Sequence, residues 1–193
     1  QALFDQTTAD GHNVDILINN AGFGLNGRLE TMEAEALANM THLNVTAVTE
    51  LTRLYGEPML MRGRGGILNV ASTAAYQPIP YFAVYAATKH YVKAFSEALH
   101  EEWKDRGVTV TCLSPGATKT GFGDRADMKA SFFQNGETPD KVARVGLAAL
   151  ARGERTVISG AANAALANVA RLLPSGVAAR LAAQMFAPGD EAS

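Results

Sequence analysis

Val14-Asp15-Ile16-Leu17-Ile18-Asn19-Asn20-Ala21-Gly22 is the stretch from which the fold can be read. A short apolar run that stops at a turn of amide and small residues suits a strand buried on both faces, the kind that builds parallel sheets. The pattern recurs further along. Gly65-Gly66 opens Ile67-Leu68-Asn69-Val70-Ala71, and Val108-Thr109-Val110-Thr111-Cys112-Leu113 is a third strand, rich in β-branched residues and broken by Ser114-Pro115-Gly116. Thr156-Val157-Ile158-Ser159 is a fourth.

Helical stretches fill the spaces between. Gln1 to Thr8 reads like the end of a helix. Leu29 to Met61 is largely helical, with Thr31 as its cap and Glu33 and Glu35 in the first turn. Tyr81 to Arg106 closes near Gly107, and another helix starts at Thr138-Pro139-Asp140. Ala161 to Phe186 is Ala-rich and helical, interrupted at Pro174-Ser175-Gly176, and the last residues read as frayed. Strands alternating with helices of this length predict an α/β fold with a doubly wound parallel sheet and helices on both faces. The expected organisation is a catalytic domain over 1–160, with a substrate loop at about 121–136, followed by a helical extension over 161–193. In such sheets ligands bind beyond the carboxyl ends of the strands. Those ends carry Asn19-Asn20-Ala21-Gly22, Ser72 and Pro115-Gly116.

Composition narrows the function. A net charge of −2 without blocks of like charge gives no reason to expect nucleic acid or an anionic membrane as partner. One cysteine, Cys112, cannot form an internal disulfide, which points to a reducing, cytoplasmic setting. No apolar run is long enough to cross a bilayer. The four histidines lack ligand spacing, so no metal site is expected.

Tyr85 and Lys89 lie four apart on a predicted helix and share a face. A phenol near pKa ~10 is a poor base at neutral pH, and a neighbouring ammonium would favour its ionised form. Tyr85 could then exchange a proton with a carbonyl or alcohol oxygen, while Ser72, after the preceding strand, hydrogen-bonds that oxygen. Each feature alone has a plainer reading: an exposed helix pair for the first, an ordinary turn serine for the second.

Taken together, Asn19-Asn20-Ala21-Gly22, Ser72 thirteen residues before Tyr85, Tyr85-Ala-Ala-Thr-Lys89, and Pro115-Gly116 with Thr120 resemble the ordered motif set of the short-chain dehydrogenase/reductase family, among them bacterial ketoacyl-reductase-like members. The resemblance runs from about Asp15 through Thr120, and more loosely to Ser159. It implies a Rossmann-like domain and hydride transfer between an alcohol or carbonyl and NADP or NAD, with NADP placed first. Carried across, Tyr85 is the general acid/base, Lys89 holds the nicotinamide ribose and Ser72 orients the substrate. Asn44, in His42-Leu43-Asn44-Val45, supports a water in a proton relay; its plainer reading is a mid-helix polar residue facing solvent. Asn20, Ala21 and Gly22 wall the adenosine-ribose pocket, whereas Asn19 stabilises the sheet. Pro115, Gly116, Thr118 and Thr120 cradle the nicotinamide, Thr118 through its main chain.

Substrate-side positions are apolar: Phe23, Ala74, Ile79 and Phe82, with Phe122, Met128, Phe132 and Phe133 in a loop expected to be mobile. They favour an apolar ketone, an acyl chain or a steroid-like body, although several could be core alone. In the family the helices bearing Asn44 and Tyr85 form dimer faces, so a homodimer or homotetramer is expected. The Ala-rich tail is expected to pack on its own domain or another subunit rather than on a membrane, since Arg171 and Arg180 are its only basic anchors. The family's glycine-rich pyrophosphate turn is not found in this sequence. Its first strand resembles the family's fourth, so an upstream segment is expected, without which a dinucleotide would bind poorly and the strand would expose an edge. The alternative function is a non-catalytic or inactive truncated module that kept the fold.

Overall fold

The structure, a computed structural model, describes residues 1–126, 128 and 130–187. α1 (Ala2–Ala9) leads into β1 (Ile16–Asn19). A 3₁₀ turn at Leu29–Thr31 precedes α2 (Ala34–Thr41), a π-helical turn (His42–Thr46) and α3 (Ala47–Arg62), which run on without a break. β2 (Gly65–Val70) is followed by a 3₁₀ turn at Thr73–Tyr76, α4 (Ala83–Trp103) and β3 (Val108–Ser114). α5 (Phe122–Arg125), α6 (Pro139–Ala151), β4 (Thr156–Ile158), α7 (Ala161–Leu172) and α8 (Ser175–Phe186) complete the order.

The four strands form one sheet in the order β1-β2-β3-β4, and every pair is parallel. Alternation along the strands decides which face each helix covers. Ile67, Val108 and Val110 point toward Tyr55 and Met59 of α3 and Leu99 and Trp103 of α4. Leu68 and Leu113 point the other way, onto Val142 and Leu150 of α6. On the α3–α4 side, buried amides tie β1 to β2: Asn19 Nδ2 donates to Asn69 Oδ1 (2.8 Å) and Thr52 Oγ1 (3.1 Å), and Asn69 Nδ2 donates to Ser96 Oγ (3.0 Å). Asn19 thus stabilises the sheet, as its position suggested. Cys112 is fully buried in β3, and burial pushes its thiol up to about 11.

Three local expectations need correction. β1 is not buried on both faces: Leu17 and Asn19 pack toward α3, but Ile16 and Ile18 on the opposite face are 55% and 48% exposed, because α6 sits over β2 and β3 and does not reach β1. Thr31 does not cap the long helix. It lies in the preceding 3₁₀ turn with its hydroxyl on Arg28 O, and Glu33 occupies the cap position without a side-chain bond. Tyr81 and Phe82 are not helical; Tyr81 has φ of 63°, and the helix begins at Ala83.

α7 and α8 pack on the domain through small residues, with Ala167, Ala170, Ala178 and Ala182 buried, and through Phe186, which stacks on Phe82, while their other large side chains are exposed. The expected frayed end, residues 188–193, lies outside the described residues.

The turn that enters β3 depends on a close approach of two glycines. Gly107 has φ of +78°, and a Cβ there would sit 1.9 Å from the carbonyl oxygen of Gly63. Strain and a main-chain clash act together, so Gly107→Ala is expected to cost about 2–3 kcal/mol. Urea unfolding followed by circular dichroism measures this, and a loss below about 0.5 kcal/mol would show that the turn is softer than described.

Candidate active site

The carboxyl ends of the strands open onto a cavity of about 1130 Å³. β2 delivers Ser72 two residues past its end, where the side chain caps the 3₁₀ turn by accepting from Ala74 N (3.1 Å). α4 carries Tyr85 and Lys89 on one face, and both are buried. The Tyr85 ring is held between Phe82 and Phe122, with centroids 4.4 and 5.4 Å away. The Ser72 hydroxyl lies near enough to the phenol to act on its ionisation. Lys89 Nζ lies 5.7 Å from the centre of the Tyr85 ring and donates to Val70 O at 2.8 Å.

The electrostatics run opposite to the sequence argument. Burial pushes the Tyr85 phenol up to about 12, and outweighs the opposite pull of the Ser72 hydroxyl. Burial also lowers Lys89 to about 8. Removal from water disfavours both charged forms, and the ammonium is directed at a carbonyl rather than at the phenol oxygen. In the chain alone, the lysine therefore does not make the phenol acidic.

Asn44 is 1% exposed, so it does not face solvent. The π-helical turn rotates it inward, where Oδ1 accepts from Phe23 N (3.2 Å) and Nδ2 donates to Phe23 O (2.9 Å) and Thr88 Oγ1 (3.1 Å). π-turns of this kind recur at functional sites. Both amide protons are in use, leaving spare acceptor capacity on Oδ1. A Cβ on Gly22 would meet that Oδ1 at 2.9 Å and Lys89 Nζ at 3.5 Å, so the β1 turn needs glycine there.

The Pro115–Thr120 turn is braced from behind. Thr73 N donates to Pro115 O (2.8 Å), Glu137 N to Ala117 O (3.0 Å) and Lys119 N to Glu137 O (2.9 Å). The Glu137 carboxylate accepts from Ser159 Oγ (2.5 Å) and pairs with Lys141 Nζ (2.6 Å). Burial opposes its charge, but the bonds from Lys141 and Ser159 outweigh burial and hold the carboxyl below its ordinary value. Asn163 donates to Ser159 O (2.8 Å) and sits against Gly116, where a Cβ would come within 2.4 Å of its amide. Glu137→Ala should cost about 1–2 kcal/mol at neutral pH. A carboxyl held below its ordinary value stabilises above its unfolded pKa, so the gap between the two proteins should shrink as pH falls through the carboxylate range. Denaturation midpoints at neutral and acid pH measure this; equal midpoints throughout would remove the bracing role.

Of the residues chosen from sequence, Asn20, Gly22, Ser72, Tyr85, Lys89, Pro115, Gly116, Thr118 and Thr120 line the one cavity. Ala21 and Asn44 do not; Asn44 stands behind Gly22. On the apolar side Ala74, Ile79, Phe82, Phe122, Met128, Phe132 and Phe133 line it, and Phe82 is core as well. Phe23 does not; its ring carries the Arg125 guanidinium at 4.6 Å. The loop expected at 121–136 contains α5 and a second helical turn, Ala130–Phe133, and its Asp127 and Lys129 lie outside the described residues. Glu137, Asn163 and Thr88 were not predicted. Thr88 lies inside the quoted Tyr85–Lys89 motif, but Glu137 and Asn163 carry no sequence signal, because they meet the site only through the fold.

The cradle fits the nicotinamide half of a dinucleotide. Gly22 and Gly116 leave main chain exposed where a side chain could not fit, and Lys89 Nζ has a single acceptor among the described residues, which leaves N–H groups for ribose hydroxyls. Among the described residues no group of three His, Cys, Asp or Glu could hold a metal, and no helix is long and apolar enough to cross a membrane.

Residues 1–130 match the model of the short chain dehydrogenase family. Over 114 residues the chain is 34% identical to a very-long-chain 3-oxoacyl-CoA reductase of Mus musculus, covering 57% of this chain and 36% of that protein. Over 140 residues it is 31% identical to a 3-ketodihydrosphingosine reductase of Bacteroides thetaiotaomicron, covering 72% and 52%. A short-chain dehydrogenase from Sphingobium yanoikuyae, solved in complex with NADPH, superposes with a TM-score of 0.78 at 26% identity, covering all of this chain and 73% of that one. The chain thus spans about half, or less, of the curated relatives it matches.

Proposed function

The chain belongs to the short chain dehydrogenase family, and from this we infer that the protein interconverts a carbonyl and an alcohol with Tyr85 as general acid/base. The observation that carries the reading is the meeting of Ser72 and the Tyr85 phenol in one cavity with Lys89. When bound, the nicotinamide supplies the hydride. The protein's residues handle the oxygen. A phenol held near 12 stays protonated at neutral pH and is ready to donate to a carbonyl oxygen as that oxygen gains electrons. Ser72 donates a second hydrogen bond to the same oxygen. Lys89 holds ribose hydroxyls with its remaining N–H groups and keeps a positive charge near the phenolate left behind. Asn44 is a positioning residue that fixes the Gly22–Phe23 main chain, and its spare Oδ1 capacity can hold a water on the proton path.

The apolar wall favours a substrate with a large apolar body, a ketone or acyl chain. The reductases named above act on such molecules by their names, which supports this reading. NADP is placed ahead of NAD, supported by the NADPH bound to the Sphingobium protein. A homodimer or homotetramer in the cytoplasm is the setting we assign.

The test mixes the full-length protein with NADPH and a long-chain 3-oxoacyl thioester or a bulky ketone and follows loss of the reduced nicotinamide absorbance. Turnover is expected. Nucleotide binding without turnover on any apolar carbonyl would leave the non-catalytic module as the better reading.

A further inference from the structure

We propose that the outward faces of α7 and α8 form a docking surface for a bilayer containing anionic phospholipid. The helix pair is built the reverse way to an ordinary surface helix. Four of its alanines are buried against the domain, and its leucines, valines and Met185 are exposed, while Phe186 turns in to stack on Phe82. On α7, Leu166, Val169 and Leu172 recur every third residue as one stripe, with Leu172 85% exposed and Leu173 just past the helix end. On α8, Val177, Leu181 and Met185 recur every fourth residue as a second stripe. Exposed apolar rows of this kind mark a contact site.

Charge and continuity decide what covers it. From Ala161 to Ala187 there is no acidic residue, and the two charged groups are Arg171 and Arg180, both exposed. Two arginines alone pointed away from a membrane in the sequence; the exposed leucines reverse that reading, because an apolar face with Arg180 beside it and no acid in either helix matches the interface of an anionic bilayer, while Arg171 leans on the Tyr76 ring. Leu166 and Met185, each 63% exposed, belong both to the outer face and to the cavity wall. These two side chains link the outer face to the cavity that holds Ser72 and Tyr85. A second protein seated on this face would cover that end of the cavity. A bilayer would instead place acyl chains at its mouth. This last point rests on the function proposed above; the docking itself does not.

The experiment needs no substrate. Full-length protein is floated with vesicles of equimolar phosphatidylcholine and phosphatidylglycerol, and in parallel its mass is measured by sedimentation velocity without vesicles. Wild type is expected to float with the vesicles, less so with phosphatidylcholine alone. The double variant Leu172→Asp/Leu181→Asp, whose residues do not line the cavity, should partition about tenfold or more weakly with an unchanged melting temperature. Arg180→Glu should weaken binding to the anionic vesicles only. The proposal is overturned if wild type ignores both vesicle types at low salt, if the double variant floats as well as wild type, or if the double variant's only effect is to split an oligomer. Vesicle binding without turnover would spare the docking surface and sink the enzymatic reading instead.

Discussion

Tyr85→Phe is expected to lower turnover in either direction by about 10²–10⁴-fold, the usual range for a lost general acid/base, while leaving a folded protein. The variant should fold because the ring is held by Phe82 and Phe122 rather than by its hydroxyl. The pH dependence gives a second reading. Reduction uses the protonated phenol, so with the phenol held near 12 its rate should stay level through this range. Oxidation uses the phenolate and should rise steadily over the same range. That rise should vanish in the Phe variant. Steady-state rates in both directions between pH 6 and 10, with circular dichroism on each protein, decide the matter. A variant retaining more than about a tenth of wild-type turnover would falsify the role of Tyr85.

Lys89→Met is expected to inactivate the enzyme and stabilise the fold at the same time. Burial lowers the ammonium from 10.5 to about 8, a cost of about 3 kcal/mol while it stays charged in the folded state. Methionine fills similar space without that cost, but gives up the bond to Val70 O, worth about 1–2 kcal/mol to a charged donor. A net gain of about 1–2 kcal/mol should remain at neutral pH. Its pH course follows from the direction of the shift. Because the folded pKa lies below the unfolded one, the unfolded chain holds more protons between about 8 and 10, and wild-type stability rises with pH there. The Met variant lacks that rise, which exceeds its advantage at neutral pH, so the two stabilities should meet and cross within this window. Above 10 the raised Tyr85 phenol removes stability from both, which confines the comparison to the lower window. Activity should fall about 10²-fold or more, chiefly through weaker cofactor binding and an unassisted phenolate. Equal unfolding free energies at every pH would show that Lys89 is better solvated than its burial indicates.

The sheet and its ligand edge were legible because they depend on short-range patterns. Apolar runs ending at Asn19, Ala71 and Leu113 are strands for reasons contained in the runs themselves, and their parallel order follows from the helices between them. Ser72, Tyr85 and Lys89 were legible because a motif fixes their spacing, and they do meet in one cavity. What the sequence hid is set by partners far along the chain. Nothing near Ile16 and Ile18 reveals that α6 stops short of β1. Nothing in His42–Thr46 announces a π-turn that swings Asn44 inward, and Glu137 and Asn163 reach the 115–120 turn only after the fold has brought them there. The pKa reasoning failed for a related reason: the charge of Lys89 was visible, but the depth of Tyr85 was not, and depth dominates.

Cys112 offers a practical consequence. With its sulfur sealed between the sheet and α4 and its ionisation suppressed, the thiol cannot meet an alkylating reagent until β3 separates from its neighbours. As the sole cysteine of the chain, it is a reporter already in place. The rate of its capture by iodoacetamide, read by mass spectrometry, times the opening of the central sheet without any introduced label.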